Sequence, residues 1–263
     1  MSEPATDPYY SISLQLQDAI RFAEANQRLG LVLLLGHLSH SSDWRLSVVR
    51  TPEGIAGVSV ILADGTWSLE AKSEVIALIL AEIAGQARQA RVLCTSEPVR
   101  GWLQPRLASK GRILGEGQTV LLQAVPTALT GVGSWATQEA FSDLKAFWGE
   151  VRREDLSLQP PVWRSLIAFG EVAVAAGSAG IVAAVVCSGR TEPQAGLSLY
   201  RVPPYEGQRQ VLRELVAFVA QPLVAEGKKV FARVDREDTQ AVEFYSSLGF
   251  REVQAGYRAT LRS

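Results

Sequence analysis

Twice along its 263 residues the chain runs through one closing order: a long helix, a short strand, a second helix and a terminal β segment. The first pass covers residues 71–125 and the second residues 211–261. Val92-Leu-Cys-Thr, Leu107 and Gly117-Gln-Thr-Val-Leu-Leu in one correspond to Val230-Phe-Ala-Arg, Leu248 and Gly256-Tyr-Arg-Ala-Thr-Leu in the other. Few letters are shared, so what repeats is the order of elements. A chain that spells this order twice has to build two related cores, and its length allows about 130 residues for each. A hydrophobic content of 47% against 20% charged residues is enough to fill both.

Apolar spacing supplies the remaining elements. Leu16, Ala19, Ile20 and Ala23 predict a helix over 14–28, ahead of three strands over 31–35, 44–49 and 55–62. Thr51-Pro-Glu-Gly54 turns between the last two of these. Val75, Ile76, Ile79, Leu80 and Ile83 mark a helix over 71–86, then come a strand at 92–94, a helix over 97–107 and a hairpin over 112–125. The Gly- and Thr-containing stretch 126–134 reads as a linker. Beyond it the spacing predicts a helix over 135–150, a hairpin over 171–187 and a strand over 197–202 that Pro203-Pro204 stops. A helix over 211–225, a strand over 229–234, a helix over 239–248 and a last β segment over 250–261 complete the chain.

Charge and cysteine usage exclude several classes. Lys+Arg 26 against Asp+Glu 27 leaves a net charge of -1, which gives no whole-chain attraction to nucleic acid or anionic lipid. Cys94 and Cys187 sit far apart in apolar runs without CxxC spacing, so both read as buried reduced thiols. No signal peptide and no apolar run of roughly 18 residues is visible, and a cytoplasmic location is expected. Walker, zinc-ligand, Gly-x-Ser-x-Gly and dinucleotide patterns are all missing. His37 and His40, with Asp43 beside them, have no third ligand partner and read as ordinary loop residues; no metal is expected. Arg152-Arg153-Glu154-Asp155 reads as a self-compensating surface cluster.

The most informative stretch is Asp238-x-x-Ala241-Val242-x-Phe244-Tyr245-x-x-Leu248-Gly249-Phe250. Asp238 suits the cap of a helix whose apolar face is Ala241, Val242, Phe244, Tyr245 and Leu248. Gly249 can adopt the left-handed conformation that ends it, and Phe250 opens the next strand. This pattern resembles the closing motif of the GNAT superfamily of acyl-CoA-dependent N-acetyltransferases, with Asp238 where that family usually has Asn. The resemblance covers residues 135–261, and the first half resembles a second, eroded copy, as in tandem two-domain members. It implies an α+β protein of two GNAT-like domains, each a mixed twisted sheet flanked by helices, over 1–126 and 135–263 with a linker at 127–134.

The family's second signature is a Gly-rich turn between its fourth strand and the following helix, where backbone N–H groups cradle the acyl-CoA pyrophosphate. Here it reads Pro203-Pro-Tyr205-Glu206-Gly207-Gln208-Arg209-Gln210-Val211. Pro203, Tyr205 and Gly207 match the pattern, whereas Glu206 reverses a charge and Arg209 and Val211 replace small residues. Either the loop holds the cofactor, with Arg209 restoring positive charge, or it is only a strand-to-helix turn. The corresponding stretch of the first half, residues 67–72, is read as a loop without glycine that binds no CoA.

What the resemblance implies for chemistry is transfer of an acetyl group from acetyl-CoA to a primary amine. Leu199, Tyr200, Arg201 and Val202 would bind the pantetheine, and Gly207, Gln208, Arg209, Gln210 and Val211 the pyrophosphate. Asp238 would belong to the cofactor site, and Tyr245 would protonate the leaving thiolate or else pack in the core. The fourth strand lacks the carboxylate many members use as base, and Glu171 and Glu192 are the nearest acidic residues. Trp135, Trp148 and Trp163 either line an acceptor pocket or pack in the core. The competing reading is a non-catalytic GNAT-fold binding or assembly module that has lost the pyrophosphate loop. The expected partners are a small-molecule or peptide amine and a second copy in a homodimer, with neither nucleic acid nor membrane.

Overall fold

The computed structural model describes residues 8–28, 44–62, 65–86, 92–127, 129–151, 164, 166–178, 180–188, 194–201 and 208–262. The expected strand over 31–35, His37, His40, Asp43, the cluster 152–155, Trp163, Glu192 and the turn 203–207 lie outside these residues. Two compact units emerge, and they cut the chain differently from the halves 1–126 and 135–263. One holds the described residues up to Gly117 together with those from Gly256 onward; the other holds those from Gln118 to Ala255.

The first unit opens with α1 (Pro8–Ala25) and an antiparallel meander of β1 (Trp44–Thr51), β2 (Gly54–Leu62) and β3 (Thr66–Ala71). Helix α2 (Glu74–Gln86) crosses over to β4 (Val92–Thr95), which runs parallel to β3. A parallel neighbour needs such a crossover because a tight turn cannot reverse the chain twice. Helix α3 (Glu97–Ser109) then leads to β5 (Ile113–Gln123). Residues Ile113–Gln123 therefore form one continuous strand where a hairpin over 112–125 was expected. The stretch 67–72, read as a loop, is mostly strand β3; only Lys72 and Ser73 form the turn into α2. Ser68 and Glu70 gave it a polar look, yet both are buried.

The second unit repeats the plan. A short strand β6 (Ser134–Trp135), a 3-10 turn at Gln138–Ala140 and α4 (Phe141–Glu150) replace the single helix expected over 135–150. Strands β7 (Val172–Gly177), β8 (Gly180–Ser188) and β9 (Gln194–Arg201) form the meander. Helix α5 (Arg209–Ala225) crosses to β10 (Lys229–Asp235), parallel to β9, and α6 (Thr239–Ser247) leads to β11 (Arg251–Leu261). Neither cysteine forms a disulfide; Cys187 is buried and Cys94 only half-buried. Among the described residues no helix is long and apolar enough to cross a membrane.

The last strand of each sequence half serves the other unit, which is why the units and the halves differ. Residues 119–123 of β5 pair antiparallel with β10, in the register Thr119 to Asp235 and Gln123 to Phe231. Residues 257–260 of β11 pair antiparallel with β4, in the register Tyr257 to Thr95 and Thr260 to Val92. Side chains follow the backbone. Val120 and Leu122 enter the core between the second sheet and α5 and α6, while Tyr257, Ala259 and Leu261 enter the first unit's core. A separate cluster, with Leu144, Phe147 and Leu166, fills the other face of the second sheet.

The stretch 126–134, read as a linker, packs along α5. Thr127 N–H donates to Gln221 Oε1 at 3.2 Å, and Val132 N–H donates to Glu214 O at 3.2 Å. Gly131 lies so close that a Cβ there would stand 2.0 Å from the Phe218 nitrogen. Trp135 covers Phe218, with ring centroids 5.6 Å apart.

Two outcomes follow from this packing. Gly131→Ala is expected to destabilise the protein by about 1–3 kcal/mol because helix backbone has to move. Gly101→Ala, inside α3 with nothing within 4 Å, is expected to stabilise it by about 0.5–1 kcal/mol; urea unfolding of both variants checks the pair. Burial, and then the Glu116 carboxylate, pushes the Tyr257 phenol well above its ordinary value of 10.0. The unfolded chain therefore gives up this proton first as pH rises, so stability falls above about pH 10. Urea titrations up to pH 11 should show a shallower fall in Tyr257→Phe.

Candidate functional site

The two units treat the parallel pair at the heart of each sheet differently. In the first, the β3–β4 register ends at Leu69 and Thr95, and side chains bind the strands together there. Thr95 Oγ donates to Leu69 O at 2.5 Å. One residue on, the Glu70 carboxylate accepts both the Ser96 backbone N–H at 2.8 Å and the Ser96 hydroxyl at 2.7 Å. Arg28, just past the end of α1, approaches Glu70 Oε2 to 3.3 Å and balances its charge. Buried at 5% exposure, Glu70 is thus paired and hydrogen-bonded, as a buried carboxylate must be.

The second unit has no such staple among its described residues. The β9–β10 register runs from Gln194 and Lys229 to Leu197 and Ala232 and stops, although β9 continues to Arg201 and β10 to Asp235. Beyond that point each strand follows its other neighbour. Leu199 and Arg201 pair with Val185 and Ala183 of β8, and Val234 and Asp235 pair with Val120 and Thr119 of β5. Strands that part while still extended leave backbone donors and acceptors on their facing edges for another group to satisfy. Burial drops at the same point, from Leu197, which is buried, to Ser198 and Leu199, which are half-buried.

Helix α5 begins beside this divergence. Gln208 is its cap residue and makes no side-chain capping bond, so no side chain of the cap serves the first-turn amides. An anion at such a helix start meets both N–H groups and the positive end of the helix dipole. Arg209 and Gln210 are exposed in this first turn, with Gln210 Nε2 donating to Glu214 Oε1 at 2.6 Å. Val211, which replaces a small residue of the Gly-rich turn pattern, packs against the core. The residues present therefore fit a phosphate-bearing ligand at α5. Val202 and Gly207 lie outside the described residues, and Tyr200 and Arg201 are described by their backbone alone.

Asp238 caps α6 as its sequence suggests, with Oδ1 accepting the Ala241 N–H at 2.9 Å. Gly249 ends the helix at φ 87°. Between them Tyr245 is buried at 5% exposure, its ring edge-on to Phe244 at 5.4 Å and to Phe250 at 5.1 Å. Leu199, Val211 and Tyr245 belong to one apolar cluster, which Val234 and Val242 extend. β9, the start of α5 and the middle of α6 thus all border one core. Arg213 links the two helices by donating to Ser247 Oγ at 3.4 Å.

Other candidates stand apart. Glu171 is buried just before β7, where its carbonyl accepts the Cys187 N–H at 2.8 Å. Trp135 packs on Phe218, and Trp148 packs beside Phe147 at 6.3 Å against the opposite face of the sheet. These two tryptophans therefore do not share one wall. Among the described residues no group of His, Cys, Asp or Glu is arranged to hold a metal. Sequence reasoning missed the staple of Glu70 and Ser96, for which the only signal was an acidic residue within a β-compatible run and a serine ahead of Glu97-Pro98.

Comparison with known proteins bears on the fold. Residues 193–259 match the FR47-like protein family. No curated protein matches the chain in sequence. Among solved structures, a GCN5-related N-acetyltransferase from Sphaerobacter thermophilus superposes with a TM-score of 0.60 at 14% identity, over 83% of this chain and 81% of that one. A GNAT-family acetyltransferase from Colwellia psychrerythraea gives 0.55 at 12% identity, over 82% and 85%. A tandem GNAT protein from the clavulanic acid biosynthesis pathway gives 0.54 at 14% identity, over 88% and 87%. The fold is therefore α+β of the GNAT kind, in tandem.

The staple generates a direct test. Glu70→Ala strands the Ser96 N–H and leaves Arg28 unpaired, and is expected to cost about 2–4 kcal/mol in urea unfolding. Ser96→Ala removes only the hydroxyl bond and should cost about 1 kcal/mol.

Proposed function

From a chain that carries the GNAT fold twice, we propose that the second unit binds acetyl-CoA and transfers its acetyl group to a primary amine. The observation that carries this reading is the parting of β9 and β10 after Leu197 and Ala232. An extended, amide-bearing chain such as pantetheine can satisfy the edge of β9 there as an added strand would. In this reading Leu199, Tyr200, Arg201 and Val202 hold the pantetheine, and Gly207, Gln208, Arg209, Gln210 and Val211 receive the pyrophosphate at the start of α5. Asp238 contributes through the cap that holds α6. The first unit, stapled at the corresponding point, takes no CoA and acts as scaffold. A cytoplasmic location belongs to the same reading.

The chemistry is an acyl transfer. The amine nitrogen bonds to the thioester carbonyl carbon, the C–S bond breaks, the thiolate takes a proton from the Tyr245 hydroxyl, and the nitrogen gives its surplus proton to water, from which the Tyr245 phenolate is reprotonated. No residue is assigned as base, since β9 carries no carboxylate. That lack, and the burial of Tyr245 in a core cluster, favour a second reading in which the fold is kept as a non-catalytic binding module.

Calorimetric titration with acetyl-CoA, CoA and desulfo-CoA separates the two. Micromolar binding that Gly207→Trp weakens at least tenfold is the expected result. No heat at millimolar ligand, together with an unchanged melting temperature, would overturn the transferase reading. Tyr245→Phe keeps the ring in the core and removes only the hydroxyl. It should leave CoA affinity unchanged and lower kcat on an amine library by about 10²-fold or more, the range of general acid catalysis. Unchanged kcat would make Tyr245 a core residue only.

A further inference from the structure

Arg233 is the first residue of β10 beyond the parting, since the register with β9 ends at Leu197 and Ala232. Its neighbours in the strand, Ala232 and Val234, pack into the core that α5 and α6 share. Successive side chains of a strand point to opposite faces, so Arg233 projects from the face of the sheet away from those helices. Tyr245 lies on the helix side, in the same core as Ala232 and Val234. Arg233 and Tyr245 therefore stand on opposite sides of the opening between the strands.

The charge of Arg233 is uncompensated. Its side chain is exposed, and among the described residues it makes neither a hydrogen bond nor an ion pair. Leu121, directly across from it on β5, is buried and offers no polar group. Asp235, two residues further along the same face, has an interaction of its own but none with Arg233. Arg236, by contrast, is paired with Glu252.

In the acetyl-CoA reading, on which this inference rests, the pantetheine fills the opening and Tyr245 serves the sulfur from the helix side. The amine then approaches by the other face, and Arg233 is the first charge it meets beyond the paired strands. A guanidinium stays charged at every working pH and repels an acceptor that carries only positive charge. An acceptor with a carboxylate beside its amine cancels that repulsion and gains two parallel charge-assisted hydrogen bonds. We infer that Arg233 is the residue that selects the acceptor, by pairing with a carboxylate borne next to the reacting amine. The acceptor class is accordingly the free amino acid.

The test compares common amino acids, each with its own carboxamide, which keeps the amine and removes the negative charge. With acetyl-CoA as donor, kcat/KM for the favoured amino acid should exceed that of its amide about tenfold or more. Arg233→Met keeps an unbranched apolar stem without the charge, and should erase the preference by raising the KM of the acid. Calorimetric titration of that amino acid into the desulfo-CoA complex reads the same contact without turnover. Arg233→Met should weaken this binding about tenfold or more. Arg233→Lys should recover part of the loss, because the charge returns without the planar fork. Lys229→Met, on the same face but at the other end of β10, should leave the preference intact, and melting temperatures check that all variants fold.

Equal use of acids and amides, or a preference that survives Arg233→Met, would overturn the inference and leave acetyl-CoA transfer standing. So would a preference for amides or diamines, which would point to Asp235, or a chain that binds CoA and acetylates no amino acid. Failure to bind desulfo-CoA would overturn the acetyl-CoA reading, and this inference with it.

Discussion

Everything in this fold depends on the exchange of the two final strands. A parallel pair, β3 with β4 or β9 with β10, satisfies only one edge of its second strand, and the other edge still carries backbone N–H and C=O groups. Those of β4 are met by β11 and those of β10 by β5, so each edge is completed by a strand from the other half of the sequence. The exchanged strands bring core with them: Val120 and Leu122 to the second unit, Tyr257, Ala259 and Leu261 to the first. Neither half of the sequence contains the whole of its own sheet or its own core, so the halves are not independent folding units even though each spells a complete order of elements.

Within that shared plan the two parallel pairs have diverged in use. At the end of the β3–β4 register the chain spends a buried carboxylate, a serine and an arginine to bind the strands shut. At the end of the β9–β10 register both strands run on, and they part. The difference is chemical as much as geometric. Glu70 can be buried only because Ser96 and Arg28 satisfy it. The corresponding region of the second unit has no such group among its described residues, and the Gln208 side chain makes no bond to the start of α5.

How much of this was legible varies element by element. The cap at Asp238, the stop at Gly249 and the burial of Phe250 were all readable, because caps and left-handed glycines act over four or five residues and need no distant partner. Strand β3 was not, since Glu70 looks like a loop residue until Ser96 and Arg28 come from elsewhere in the chain to satisfy it. The stretch 126–134 looked like a linker for a similar reason. Its glycines suit a flexible connector, but here Gly131 permits close approach to the backbone of α5. At the candidate site, the resemblance pointed to Leu199, Val211 and Tyr245 separately, and the core joined them.

The sequence by itself determined the order of elements, the doubled plan and the local ends of the helices, because hydrophobic period and capping are properties of neighbouring residues. Only the tertiary structure decided which strand pairs with which, whether a parallel pair closes or parts, and that Val75, Ile79 and Ile83 face outward. Each of these depends on residues far apart in the chain meeting across a sheet or a core. A periodic pattern records that a face is apolar, but not what will cover it.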